Sequence, residues 1–343
     1  MHLLRQESRF PLEVLDFSSP GNGWKGKNFG VGWARKVLFN KILAEAVPED
    51  LIVSMDADTR FGENYLASVM SQMQLSPQWL ALSAPYYHEL TGDDTFDRAI
   101  LRYELFMRNY AINMIEISSP YAFTAIGSAI VVRCGALRKI GGITPMKSGE
   151  DFYLMQKLRK MGAVGTYCAE CVHPAARFSS RVDFGTGPAM MKGANGDWTS
   201  YPIYHHTLFQ KVEATYQIIE ELYEHDVNTD FTHFLQEQFK TEELWEPLRA
   251  NVKNKSQFAR AFHEKADGLR ILQFLKMEQK RANIPDEVAL FDNLNRFFNT
   301  EERNQIQSLF SSNQPLESLS TSALNAIRNL MFKAEMRKRK NLS

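Results

Sequence analysis

Leu51-Ile52-Val53-Ser54-Met55-Asp56-Ala57-Asp58 is the stretch whose reading decides the fold. An apolar run ends in two aspartates spaced one apart. On a strand, residues i and i+2 point to the same side. A strand that holds to its end therefore presents the Asp56 and Asp58 carboxylates together at its carboxyl edge, where open α/β sheets place their ligands. Two adjacent carboxylates repel one another, which makes a hard divalent cation a natural third party. A plain turn is the other reading, since Asp is common where strands end.

Outward from this stretch, strands and helices alternate. Residues 10–17 (FPLEVLDF) read as a short strand, followed by a Gly/Asn/Lys loop over 18–32 and helical periodicity over 34–47. Beyond the aspartates the pattern predicts a helix over 64–74, a strand over 80–87, a long amphipathic helix over 96–115 and a strand over 129–133. A helix over 133–140 is stopped by Gly141-Gly142, and a helix over 150–161 leads to a strand over 164–168. This alternation predicts an α/β fold with a largely parallel sheet. Past about Tyr204 glycine nearly vanishes and Leu, Phe, Glu, Lys and Gln recur at helical spacing. Helices are expected over 207–223, 231–239, 255–281, 287–297, 301–310 and 321–339. The expected division is an α/β domain over 1–204 and an all-α region over 205–343.

Composition bounds the function. Lys+Arg and Asp+Glu number 40 each in 343 residues, so the net charge is zero and bulk charge gives no reason to expect a nucleic-acid partner. The basic stretch 333–340 (KAEMRKRK) reads either as a solvated helix end or as a contact for an anionic membrane surface. Cys134, Cys168 and Cys171 form no disulfide framework; they read as reduced packing residues, which suits the cytosol. The N-terminus is charged and lacks the apolar run of a signal peptide, and no apolar stretch is long enough for a membrane span. The expected location is the cytoplasm, free or peripheral at the inner face of a membrane.

Four blocks, in order, resemble the family 2 glycosyltransferases, the nucleotide-sugar-dependent group with the GT-A fold. They are the glycine-rich segment 25–36 (KGKNFGVGWARK), the DxD motif Asp56-Ala57-Asp58, the strand Gly127-Ser128-Ala129-Ile130-Val131-Val132-Arg133 with its glycine turn at 141–142, and the helix start Gly149-Glu150-Asp151. The resemblance implies a Rossmann-like, mostly parallel sheet flanked by helices. It also implies a divalent metal (manganese or magnesium), a nucleotide-sugar donor and a glycan or lipid-linked hydroxyl acceptor. Asp58 would bind the metal directly, and Asp56 the donor ribose or a metal-bound water. Asp151 would be the general base of an inverting transfer, supported by Glu150; a helix cap with an acidic first turn is the plainer reading of that pair.

Lys27 and Arg35 would offer charge to the nucleotide or phosphates, or form a solvated loop and helix face. Gly127 and Ser128 would leave room for the acceptor, or pack closely on the sheet. His173 would complete the metal site, or be structural. Arg177 and Arg181 would close on the donor diphosphate, or be surface charge. Trp198 would stack on an acceptor sugar, or pack where the helical region begins.

The resemblance also implies a strand, a helix and a second strand ahead of the glycine-rich segment. Only Met1–Arg9 precede the strand expected at 10–17. The chain is therefore expected to be an N-terminally shortened member, lacking the half that holds the nucleobase. The alternative function is a non-catalytic binding or scaffold protein derived from such an enzyme. Oligomeric state is left open.

Overall fold

The computed structural model describes residues 10–24, 29–178 and 185–342. It is an α/β structure with a small mixed sheet. The elements up to residue 204 are α1 (Val31–Glu45), β1 (Leu51–Ser54), β2 (Arg60–Phe61), α2 (Tyr65–Leu75), β3 (Trp79–Ser83), α3 (Asp94–Glu116), β4 (Ile130–Arg133), α4 (Cys134–Lys139), α5 (Glu150–Met161), β5 (Ala163–Gly165), β6 (Val172–His173) and α6 (Thr186–Ala194). The rest is helical, as the sequence predicts: α7 (His206–Gln217), α8 (Ile219–Leu222), α9 (Asp230–Phe239), α10 (Glu246–Ala250), α11 (Lys255–Lys265), α12 (Gly268–Ala282), α13 (Asp286–Phe297), α14 (Thr300–Leu309) and α15 (Thr321–Asn341), with one short 3-10 turn at Leu316–Ser318.

The main sheet has the order β1-β4-β3-β5, and β2 pairs with β6 separately. The expectation of a largely parallel sheet is corrected here. Strand β4 runs antiparallel to both β1 and β3, and only β3–β5 is a parallel pair. The alternation of strands and helices is real, but the chain re-enters the sheet reversed after α3, and no local pattern announces that direction. The strand expected at 10–17 is also absent. Residues 10–17 carry Pro11 within the run, and Phe10, Leu12 and Phe17 are exposed. Strand β1 is therefore an edge of the sheet among the described residues.

Both faces of the sheet are covered. In β4, Val132 joins a core with Phe39, Ile52, Leu137 and Leu154, while its neighbour Val131 joins Val69, Leu82 and Ile100 on the other side. This follows from the two-residue side-chain period. Helix α3 is buried nearly all round, with 16 of its 23 residues inside. Asp93 caps it by accepting from the amides of Thr95 and Phe96.

The first core continues into Phe209, Trp245, Phe262 and Phe274 of the helical region, and a second cluster joins Leu101 and Leu105 of α3 to Leu290, Ile327 and Met331. Residues on the two sides of 204 thus share their cores. The helix expected over 255–281 is two helices. Asp267 ends one and caps the next by accepting from the Arg270 amide, and Gly268 lies so close to Tyr121 and Gln156 that a side chain has little room.

The basic stretch 333–340 is a docked helix end. Arg337 bonds Glu302 at 2.8 Å, Lys338 pairs with Glu116, and buried Arg339 pairs with Glu335. Three charges on which the membrane-contact reading relied are therefore engaged within the chain. No helix among the described residues is long and apolar enough to cross a membrane.

Candidate active site

The aspartates sit just past β1, on a turn closed by the Thr59 amide donating to the Asp56 carbonyl at 3.0 Å. The strand stops at Ser54, so the aspartates lie on a turn beyond it and not on a strand end. The sheet register explains the first partner of Asp56. Ser54 lies opposite Ile130 in the antiparallel β1–β4 pair. Two residues after Ser54 and two before Ile130, Asp56 meets Ser128, whose hydroxyl donates to Asp56 Oδ2 at 2.8 Å.

The other Asp56 oxygen accepts from Arg35 Nη2 of α1 at 2.6 Å. The same guanidinium reaches across to Glu150 through Nη1. Glu150 is only 3% exposed, so this pair satisfies a buried carboxylate. Two glycines bring α1 this close. A side chain at Gly32 would strike the Met146 backbone, and one at Gly127 would strike the Arg35 guanidinium. Gly32→Ala should push α1 off the turn before α5 and lower stability by about 1–3 kcal/mol in urea unfolding; an unchanged midpoint would contradict this packing.

Helix α5 starts from Gly149 in a left-handed conformation (φ 76°), with Glu150 and Asp151 in its first turn, where acids favour the helix dipole. Asp151 Oδ1 accepts from the Phe152 amide at 2.7 Å. The cap itself is Gly149, with no side-chain cap bond, so of the plainer reading only the acidic first turn is realised. Burial pushes the Asp151 carboxyl up to about 6, helped by the negative charge of Glu150, while Arg35 and the Phe152 and Gly127 amides pull the other way. Asp151 as a whole residue is partly buried. Tyr103 of α3 lies within electrostatic reach of Asp151 and faces Thr186. Burial pushes its phenol up, so it stays protonated as a donor. Sequence reading missed Tyr103 because it falls on the core stripe of α3 like any packing residue.

Asp58 is paired with Arg177, which is half-exposed. His173 is two strand-paired residues away: β6 places it opposite Arg60, and Asp58 precedes Arg60 by two. Its ring contacts run elsewhere, with Nε2 3.4 Å from Cys171 Sγ, Nδ1 3.8 Å from Glu89 Oε1, and its face against Tyr87. Among the described residues, no group of three or more His, Cys, Asp and Glu side chains is arranged to hold a metal ion. Of the residues expected to bind metal, Asp56 is bonded to Arg35 and Ser128, Asp58 to Arg177, and His173 lies against Cys171. The chemistry of Asp58 still suits a hard cation, which needs only one or two carboxylates when a diphosphate supplies other oxygens.

Trp198 is not brought to this cluster. The Arg102 guanidinium lies over its ring at 4.8 Å, and its edge fills the space left by Gly193. It packs the α6 end against α3. Lys27 and Arg181 lie outside the described residues. Cys134, Cys168 and Cys171 are free thiols.

No protein-family model matches the chain, and a comparison with curated proteins finds no match.

Proposed function

We propose that the chain is a metal-dependent glycosyltransferase. It would move a sugar from a nucleotide-sugar donor to a hydroxyl on a glycan or lipid-linked acceptor, with inversion and with Asp151 as general base. The observation that carries this reading is the convergence of four distant blocks. Arg35, Asp56, Ser128 and Glu150 are joined by direct bonds beside a carboxyl whose affinity for a proton suits base catalysis near neutral pH.

In this reading Asp151 accepts the acceptor hydroxyl proton as that oxygen bonds to the anomeric carbon and the bond to the donor diphosphate breaks. Glu150, neutralised by Arg35, keeps the helix start in place. Arg177 supplies positive charge toward the departing diphosphate. A divalent cation held by Asp58, when bound, adds Lewis-acid stabilisation of that leaving group. The setting we propose is cytoplasmic, with lipid-linked acceptors reached at a membrane face.

Asp58→Ala should lower donor hydrolysis or transfer by about 100-fold or more with the melting temperature held within about 3 °C. Metal-dependent turnover at the unsubstituted rate would overturn the assignment. A second reading, donor binding without transfer, is favoured by one feature: Asp56 and Asp58 already have cationic partners in Arg35 and Arg177. It predicts nucleotide binding with no turnover by the unsubstituted protein.

A further inference from the structure

Arg35 differs from a phosphate-binding arginine in its surroundings. Its side chain is 12% exposed, and both terminal nitrogens are spent on carboxylates of the chain itself, Asp56 Oδ1 and Glu150 Oε1. These carboxylates belong to separate pieces of the site, the turn after β1 and the start of α5. A planar fork spans such a pair in a way that an ammonium point charge does not. Above the fork lies Gly127, where a Cβ would overlap Nη1, Nη2 and Cζ at once. The overlap falls on the bonded end of the side chain, so a methyl at 127 displaces the guanidinium relative to its two partners. The absent side chain at 127 leaves room for the Arg35 guanidinium.

We propose that Arg35 and Gly127 form one positioning unit that locks the Asp56 turn to the Glu150–Asp151 helix start, and that Arg35 stays in this lock instead of binding donor phosphate. The catalytic part of this proposal rests on the transferase reading; the lock itself does not. The unit sets where the base stands relative to the donor end of the site. Misplacement of this kind lowers turnover without weakening donor binding.

The test is a set of R35M, R35K, G127A and R35M/G127A, read by urea unfolding and by steady-state kinetics with varied donor. R35M and G127A should each lower kcat by about 10- to 100-fold, with donor KM within about threefold of the unsubstituted protein. The double variant should be no worse than R35M, since neighbours in one unit are not additive. R35K should fail to restore kcat. A rise in donor KM of about tenfold or more in R35M with kcat retained overturns the proposal, because it marks a phosphate ligand.

The urea midpoint separates the lock from the transferase reading. G127A should lower the midpoint when Arg35 is present and leave it unchanged when R35M has removed the guanidinium. Equal shifts in both backgrounds overturn the lock. If the unsubstituted protein turns over no donor, the transferase reading fails, and this cycle still decides whether the lock exists.

Discussion

Asp151→Asn is expected to lower turnover by about 10²–10⁴-fold, the range general-base removal produces. Donor affinity should be retained, because the proposed role of Asp151 is toward the acceptor hydroxyl. The pH profile carries the same assignment. The carboxyl is raised from 3.8 to about 6 by burial and by Glu150. A base must be deprotonated, so the rate of the unsubstituted protein should climb as pH passes about 6 and level off above it, while the variant's residual rate should lack that limb.

Stability runs the other way. Between 3.8 and about 6 the folded chain binds this proton more tightly than the unfolded chain. The contribution is therefore full below 3.8 and lost as pH rises through about 6. Asparagine cannot ionise, so D151N should exceed the unsubstituted protein in stability above pH 6 by about 1–3 kcal/mol, allowing for partial solvent access. Urea unfolding at pH 5 and pH 8 measures it. A variant that is inactive yet no more stable at pH 8 would place the Asp151 carboxyl in a more polar setting than the structure gives it.

Glu104→Ala should cost about 3–5 kcal/mol, as expected when one member of a buried ionic network is removed. Glu104 is fully buried on α3. One oxygen lies 2.6 Å from His88 Nδ1 and accepts from the His88 amide, and the other meets Arg108 and Arg328 at 3.2 and 3.4 Å. Arg108 continues to Glu335 at 2.8 Å and to the Tyr86 carbonyl at 2.9 Å. Burial alone would raise the Glu104 carboxyl, but Arg108, His88 and Arg328 reverse this and hold it well below the usual carboxylate range. Without Glu104, Arg328 keeps no carboxylate partner in this network, and Arg108 keeps only Glu335. Because α15 supplies Arg328 and Glu335, urea unfolding should show one shared transition for the sheet region and α15, shifted together. A cost below about 1 kcal/mol would mean that water reaches this network.

The same network marks where sequence reading stops. Glu104 and Arg108, and Glu335 and Arg339, are i,i+4 pairs, a spacing equally suited to a solvated helix face. They are buried because α3 and α15 bring complementary charges together across more than two hundred residues, and no local pattern encodes that meeting. Most helices were legible from periodicity, but not the short ones at Thr186–Ala194 and Glu246–Ala250, nor the breaks at Ile218 and Asp267. Sheet direction was not, because β4 is reversed by its tertiary path.

Within the site, Asp56, Ser128, Glu150 and Asp151 were legible as motif residues, and the β1–β4 register brings the first two together. The contact between Arg35 and Gly127 was not legible, for a steric reason. Only the folded chain shows that the empty space at 127 is filled by the guanidinium of 35. His173 and Trp198 were chosen for their chemistry, but their surroundings are Cys171 and Glu89 for the first and Arg102 and Gly193 for the second.

The central claim is that this site binds a nucleotide-sugar diphosphate with a divalent cation. Its most direct test is calorimetric titration of the full chain with uridine, guanosine, adenosine and thymidine diphosphates, with manganese and with chelator. The account predicts binding of at least one of them at about micromolar affinity, roughly −8 kcal/mol, lost with chelator and lost in Asp58→Ala. Absence of binding by all four in manganese, or binding that survives both chelator and D58A, would contradict it.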